Sequence, residues 1–138
     1  MKIKLHTNDL PENISLGNSI AIDTETMGLN HFRDRLCLIQ LSNGDGICHL
    51  VQIQNPNNKP KNLIKILKNK KILKIFHFAR FDVGILKHTF KINIENIYCT
   101  KIASKLTRTF TDKHGLQDLC KELLNKEISK KEQTTDWG

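Results

Sequence analysis

Ala21-Ile22-Asp23-Thr24-Glu25-Thr26-Met27-Gly28-Leu29 is the stretch around which the chain is organised. An apolar run, Ile20 to Ile22, leads straight into two acids one residue apart and then a glycine. Along a strand, residues i and i+2 point to the same face. Asp23 and Glu25 therefore project side by side from the end of a strand whose start is buried. Two carboxylates this close resist joint ionisation. A divalent cation relieves that repulsion, and carboxylate oxygens suit hard ions such as Mg²⁺ or Mn²⁺. The same nine residues also fit a strand end that runs into a solvated acidic turn. On the nonapeptide alone both stay open.

At 138 residues, with 38% hydrophobic and 26% charged residues, the chain has the size and composition of one soluble globular domain. No run approaches the ~18 apolar residues of a membrane span, and no signal-peptide core follows Lys2 and Lys4. A cytoplasmic protein with no membrane partner is expected. Cys37, Cys48, Cys99 and Cys120 are widely spaced and read as reduced thiols, neither a zinc site nor a disulfide framework. The net charge of +8 points weakly to a polyanion such as nucleic acid. Its 18 Lys against 4 Arg is also the skew that an AT-rich coding sequence produces without selection for binding.

From the N-terminus, Ile3 and Leu5 mark a short opening strand, followed by a polar turn around Asn8–Glu12. Strands are expected over Ser19–Glu25, Leu36–Ser42 and Ile47–Ile53, joined by short turns and so antiparallel. The second is continuously apolar apart from Gln40, and Asn43-Gly44-Asp45-Gly46 has hairpin composition. Lys61–Lys70 carries Leu63, Ile64, Ile66 and Leu67 at helical spacing. Seven lysines fall between Lys59 and Lys74; a solvated helix face explains them better than a nucleic-acid groove. A fourth strand, Lys71–Phe76, leads into a helix, Ala79–Phe90, which returns to a fifth strand near Asn96–Tyr98. Two helices follow, Cys99–Leu106 and Leu116–Leu124, around a basic loop. Three antiparallel strands followed by helix-covered parallel ones give a mixed α/β sheet, an order found in the ribonuclease H-like architecture among others.

A second acid comes from Phe76-His77-Phe78-Ala79-Arg80-Phe81-Asp82. Phe78, Asp82 and Leu86 stand at i, i+4 and i+8, so Asp82 is expected on an apolar, sheet-facing side of the helix. An unpaired charge there is costly. It needs a cation shared with Asp23 and Glu25, or a salt bridge; Arg80, two residues away, lies off that face.

These residues resemble ribonuclease D and the wider superfamily of 3′–5′ exonucleases with four metal-binding acids. The first family motif, Asp-x-Glu with Thr-x-Gly-Leu, matches Asp23 to Leu29. The second, Asn or His, three residues, an aromatic and Asp, matches His77, Phe81 and Asp82. The likeness continues through Thr100–Leu106 and Gly115–Cys120, and Ser129–Trp137 resembles the segment ahead of the third motif. The resemblance implies a ribonuclease H-like fold and hydrolysis of RNA, or of another single-stranded nucleic acid, from its 3′ end with two Mg²⁺ or Mn²⁺ ions. One ion activates a water and the other stabilises the departing 3′ oxygen. Asp23, Glu25 and Asp82 become the implied ligands. Thr26, Met27, Gly28 and Leu29 become candidate contacts to the terminal nucleotide, although a tight turn with Leu29 in the core also fits. His77 either touches substrate or caps the helix, and Phe81 is expected to pack in the core.

The family's third motif, Tyr-x-x-x-Asp or His with a later Asp, has no match. Tyr98 is followed four residues on by Ile102. His114 and Asp118 have an i, i+4 spacing but lie too early, where a helix start and packing face are expected. The expectation is therefore a single exonuclease domain over residues 1–138, incomplete at its C-terminus with the last helix missing. Its activity is weak or absent unless a separately encoded C-terminal fragment completes it. The alternative is a non-catalytic nucleic-acid-binding fragment of a split or degenerate exonuclease.

Overall fold

The computed structural model describes residues 1–129, 136 and 137. The segment Ser129–Trp137, singled out for its family likeness, lies mostly outside the described residues. Six strands form one sheet in the order β1-β4-β3-β2-β5-β6: β1 Lys2–Thr7, β2 Ser19–Thr26, β3 Leu36–Ser42, β4 Ile47–Gln52, β5 Leu73–Phe76 and β6 Ile97–Cys99. The helices among the described residues are α1 Lys61–Lys68, α2 Ala79–Phe90, α3 Thr100–Thr107 and α4 Leu116–Leu124. None is long and apolar enough to cross a membrane.

The antiparallel half forms as its turns dictate. β2 pairs antiparallel with β3, and β3 with β4. Gly44 and Gly46 adopt φ of +85° in the connecting turn, while Asn43 and Asp45 carboxyl or amide oxygens accept main-chain N–H bonds of 3.1 and 2.9 Å. The opening strand β1 runs parallel to β4 at the outer edge, with Ile3 and Leu5 exposed. On the other side, β2 pairs parallel with β5, and β5 with β6. The sheet is thus mixed, as expected from the strand order, with β2 at the boundary between its antiparallel and parallel parts.

Alternation along β2 sends Ile20, Ile22 and Thr24 to the core and Ala21, Asp23 and Glu25 to the opposite face. Against the core side pack Leu63, Ile66 and Leu67 of α1 and Ile85, Leu86 and Phe90 of α2. Lys61, Lys65 and Lys68 are exposed, so the lysines of α1 form a solvated face. Lys74 is the exception. It is 0% exposed, and its ammonium donates to the carbonyls of Asn69 (2.5 Å) and Ile72 (2.8 Å) at the end of α1. The strand begins at Leu73 rather than Lys71 because residues 69–72 turn, the Lys71 N–H bonding to Asn69 Oδ1.

One expectation fails. Phe78 does not share the buried face of α2 with Asp82 and Leu86. It is the N-cap, in the left-handed region at φ 62°, and its ring is 47% exposed beneath the Lys101 ammonium.

The start of α1 is held from a distance. Its N-cap position is Pro60, which offers no side-chain bond. Asp9 supplies it instead, accepting the N–H groups of Asn62 and Leu63, each at 3.0 Å. Asp9→Ala is expected to cost about 1–2 kcal/mol of stability in urea denaturation at neutral pH. An unchanged midpoint and slope would show that the cap contributes nothing.

Candidate active site

Because β2 and β5 are parallel, their C-terminal ends emerge at the same sheet edge. The last paired positions are Ala21 and Ile75. Two residues further on, Asp23, still paired with β3, and His77, just past the end of β5, line one groove of about 290 Å³. α2 starts immediately after β5, which carries Asp82 back to the end of β2. The carboxyl ends of parallel strands at a switch in strand direction are where open α/β sheets place their sites.

Asp82 is 3% exposed. Its Oδ1 accepts two bonds from one residue, the Thr24 hydroxyl at 2.6 Å and the Thr24 N–H at 3.1 Å. No salt bridge holds it; Arg80 is exposed, and none of the ion pairs among the described residues involves Asp23, Glu25 or Asp82. Burial pushes the Asp82 carboxyl up to about 7, against the pull of the Thr24 hydroxyl and with the push of nearby Asp23. Burial also raises Glu25 to about 7, and repulsion from Asp23 and then Asp82 adds to it. Asp23 is raised by burial, with the Thr24 N–H opposing. The three acids that the sequence singles out are thus brought into one electrostatic cluster.

Among the described residues, no three His, Cys, Asp or Glu side chains are gathered closely enough to enclose a metal ion. Asp82 has turned one oxygen to Thr24. The chemistry of the donor set nonetheless fits a hard divalent cation: three carboxylates, each held above its ordinary pKa, with no lysine or arginine paired to them among the described residues.

Thr26 to Leu29 form a braced turn. The Thr26 hydroxyl donates to the Gly28 carbonyl at 2.5 Å, and the Met27 N–H to the Arg35 carbonyl at 3.0 Å. A Cβ on Gly28 would collide with the Asp34 carboxylate, so glycine is required by that approach. Leu29 is 84% exposed and Met27 55%. The core placement considered for Leu29 is therefore ruled out. His77 does not cap α2, which has no side-chain cap bond. Its Nδ1 lies 2.9 Å from Thr100 Oγ1. Phe81 is half-buried, edge-on to His31 at 4.9 Å. His114 is bonded to Ser104 Oγ at 2.7 Å, and Asp118 sits in the first turn of α4.

Three contributors escape motif reading. Thr24 looks like a spacer between two acids, yet it is the polar residue in a core-facing stripe of Ile20, Ile22 and Thr24. That break in the apolar pattern was its signal. Gln40 is opposite Asp23 across β2 and β3 and reaches Glu25 Oε1 at 3.5 Å. It was visible as the polar interruption of its strand. Thr100 had no local signal, because its contact with His77 spans two elements.

The family model described as 3′–5′ exonuclease matches residues 4–138. Ribonuclease D of Bartonella henselae is 31% identical over the whole chain, which spans 34% of that protein. The structure of Brucella melitensis NrnC with bound Mg²⁺ superimposes at a TM-score of 0.92 and 51% identity, covering 99% of this chain and 67% of that one. NrnC from the same organism bound to pGG gives 0.93 and 52% over the same shares. The chain thus spans about a third of its ribonuclease D relative and two thirds of NrnC. With its mixed ribonuclease H-like sheet and its two acidic motifs meeting at one edge, the chain belongs to the 3′–5′ exonuclease family.

Proposed function

We propose that residues 1–138 are the core of a 3′–5′ exonuclease domain that removes nucleotides from the 3′ end of RNA. The observation that carries this reading is the meeting of Asp23, Glu25 and Asp82, from two separate elements, in one cluster where each carboxyl is raised above its ordinary pKa. The pGG bound by the similar NrnC favours short, 5′-phosphorylated RNA as substrate. Binding without cleavage is the competing reading, favoured by the lack of a ready-made metal cage among the described residues.

Asp23, Glu25 and Asp82 would hold two divalent cations, Mg²⁺ or Mn²⁺. When bound, such ions acidify a water and offset charge developing on the departing oxygen. In the hydrolysis, a water oxygen bonds to the terminal phosphorus and the bond from phosphorus to the 3′ oxygen breaks. The proton lost by the water is replaced, through solvent, on that 3′ oxygen. The products are a nucleoside 5′-monophosphate and a strand one nucleotide shorter. Thr24 orients Asp82 for this work through its two bonds. Met27 and Leu29 offer exposed apolar surface to the terminal base from a braced turn, with Thr26 and Gly28 shaping it. A segment bearing the family's Tyr-x-x-x-Asp motif would supply a fourth acid and a residue to orient the water.

The direct test is a 5′-labelled RNA incubated with Mn²⁺ and the chain, with and without such a segment. Stepwise shortening from the 3′ end is expected, strongest with the segment and reduced about a thousandfold or more in Asp23→Ala. Retention of the RNA without shortening in either case would favour the binding reading.

Stability should report the acids independently. Glu25 and Asp82 have folded pKa values of about 7, above their ordinary 4.5 and 3.8. Their protonated forms suit the fold, so stability is fully present below about pH 4 and declines as pH rises through about 7. Denaturation of the metal-free chain from pH 4 to 9 should show that decline, and Asp82→Asn should flatten it. Mn²⁺ should raise the melting temperature at pH 8 more than at pH 5. A cation shift equal at both pH values would remove the acids as its ligands.

A further inference from the structure

His77 sits in a hydrogen-bond chain that favours a proton on Nδ1 over one on Nε2. The Thr100 hydroxyl donates to the Phe76 carbonyl at 3.1 Å. That carbonyl can only accept, and a hydroxyl has one proton to give. Thr100 Oγ1 can then only accept from His77 Nδ1, 2.9 Å away, so Nδ1 bears hydrogen. Burial, with the Lys101 ammonium adding to it, holds the His77 pKa below its ordinary value, so the ring is neutral at pH 7. A neutral ring protonated at Nδ1 has a bare lone pair at Nε2.

His77 and Thr100 line the same groove as Asp23, between apolar Ala21, Ile75 and Leu116. A lone pair in such a groove selects for a donor. Phosphate oxygens are acceptors and are repelled by it; the sugar hydroxyl is the nucleotide's donor apart from base edges. On the exonuclease reading above, we propose that His77 distinguishes RNA from DNA in this site, its Nε2 accepting a hydrogen bond from the 2′-hydroxyl of the terminal nucleotide. Thr100 acts as its positioning residue, since it works through the His77 ring.

The test uses the 138-residue chain and the dinucleotide pGG, with Ca²⁺ present to allow binding. Three forms are titrated: ribose throughout, 2′-deoxy at the terminal nucleotide, and 3′-deoxy there. The ribose form is expected to bind about tenfold tighter than the 2′-deoxy form. That ratio should fall to about one in His77→Asn, which keeps an amide N–H for Thr100 but has no Nε2. Thr100→Val should lower it while leaving His77 present. Long-range proton–nitrogen NMR of the wild-type chain should show Nδ1 protonated and Nε2 bare, a readout that needs no variant to fold. Tight binding with equal affinity for ribose and 2′-deoxy forms overturns the inference and leaves the exonuclease reading standing. So does sensitivity to the 3′-hydroxyl alone, or discrimination that follows the base when pUU replaces pGG. Failure to bind any form overturns both.

Discussion

A buried aspartate bonded to the hydroxyl and the amide of one threonine ties the edge of this sheet to the helix that leaves it. Asp82 stands in the first turn of α2 and Thr24 near the end of β2, 58 residues apart in sequence. Each half of that contact is prepared by topology. β2 is flanked by an antiparallel neighbour and a parallel one. Only the parallel neighbour, β5, ends at the same edge, and only a helix following β5 directly can return an acid to that point. The same constraint delivers Asp23, Glu25 and His77 there without any long loop.

The contact is not arranged for stability alone. Two hydrogen bonds to one oxygen offset part of the cost of burying Asp82, and bonds to a charged acceptor are worth more than neutral ones. They do not offset it fully, because the carboxyl remains raised to about 7 and two further acids press on it. A core position that wanted only packing would hold an apolar residue. Residual electrostatic strain of this kind, concentrated where strands and helices deliver several acids together, is the mark of a site rather than of a scaffold.

Most of the architecture was legible because it follows local rules. Ala79–Phe90 and Leu36–Ser42 come out with the bounds their apolar periodicity predicts, and the Asn43–Gly46 turn closes as its composition demands. The acids were legible because strand alternation and helix spacing constrain where they point. What was not legible is what crosses between elements. Nothing local to β1 says that it pairs with β4, and nothing near His77 indicates Thr100. Phe78 was misplaced for a different reason: helical spacing was extended one residue too far. The chain turns through a left-handed conformation at that residue, so its side chain leaves the face that spacing assigns.

The turn from Thr26 to Leu29 shows how rigidity and exposure coexist at one edge. Asp34 accepts the Asn30 N–H at 3.0 Å and two bonds from Arg33, and the Arg33 guanidinium holds its carboxyl down to about 2. That acid therefore stays charged wherever the carboxyls of the cluster are still partly protonated. The brace works at every pH at which the cluster changes state. Around it, Met27 and Leu29 stand exposed on a turn braced by the Thr26 and Met27 bonds and by the close approach of Gly28 to Asp34. An apolar tip fixed in solvent gains nothing for the folded chain by itself. On the proposed function its gain would come when a flat apolar surface, such as a nucleobase, is laid against it, since a preformed tip takes up such a surface without first losing conformational freedom.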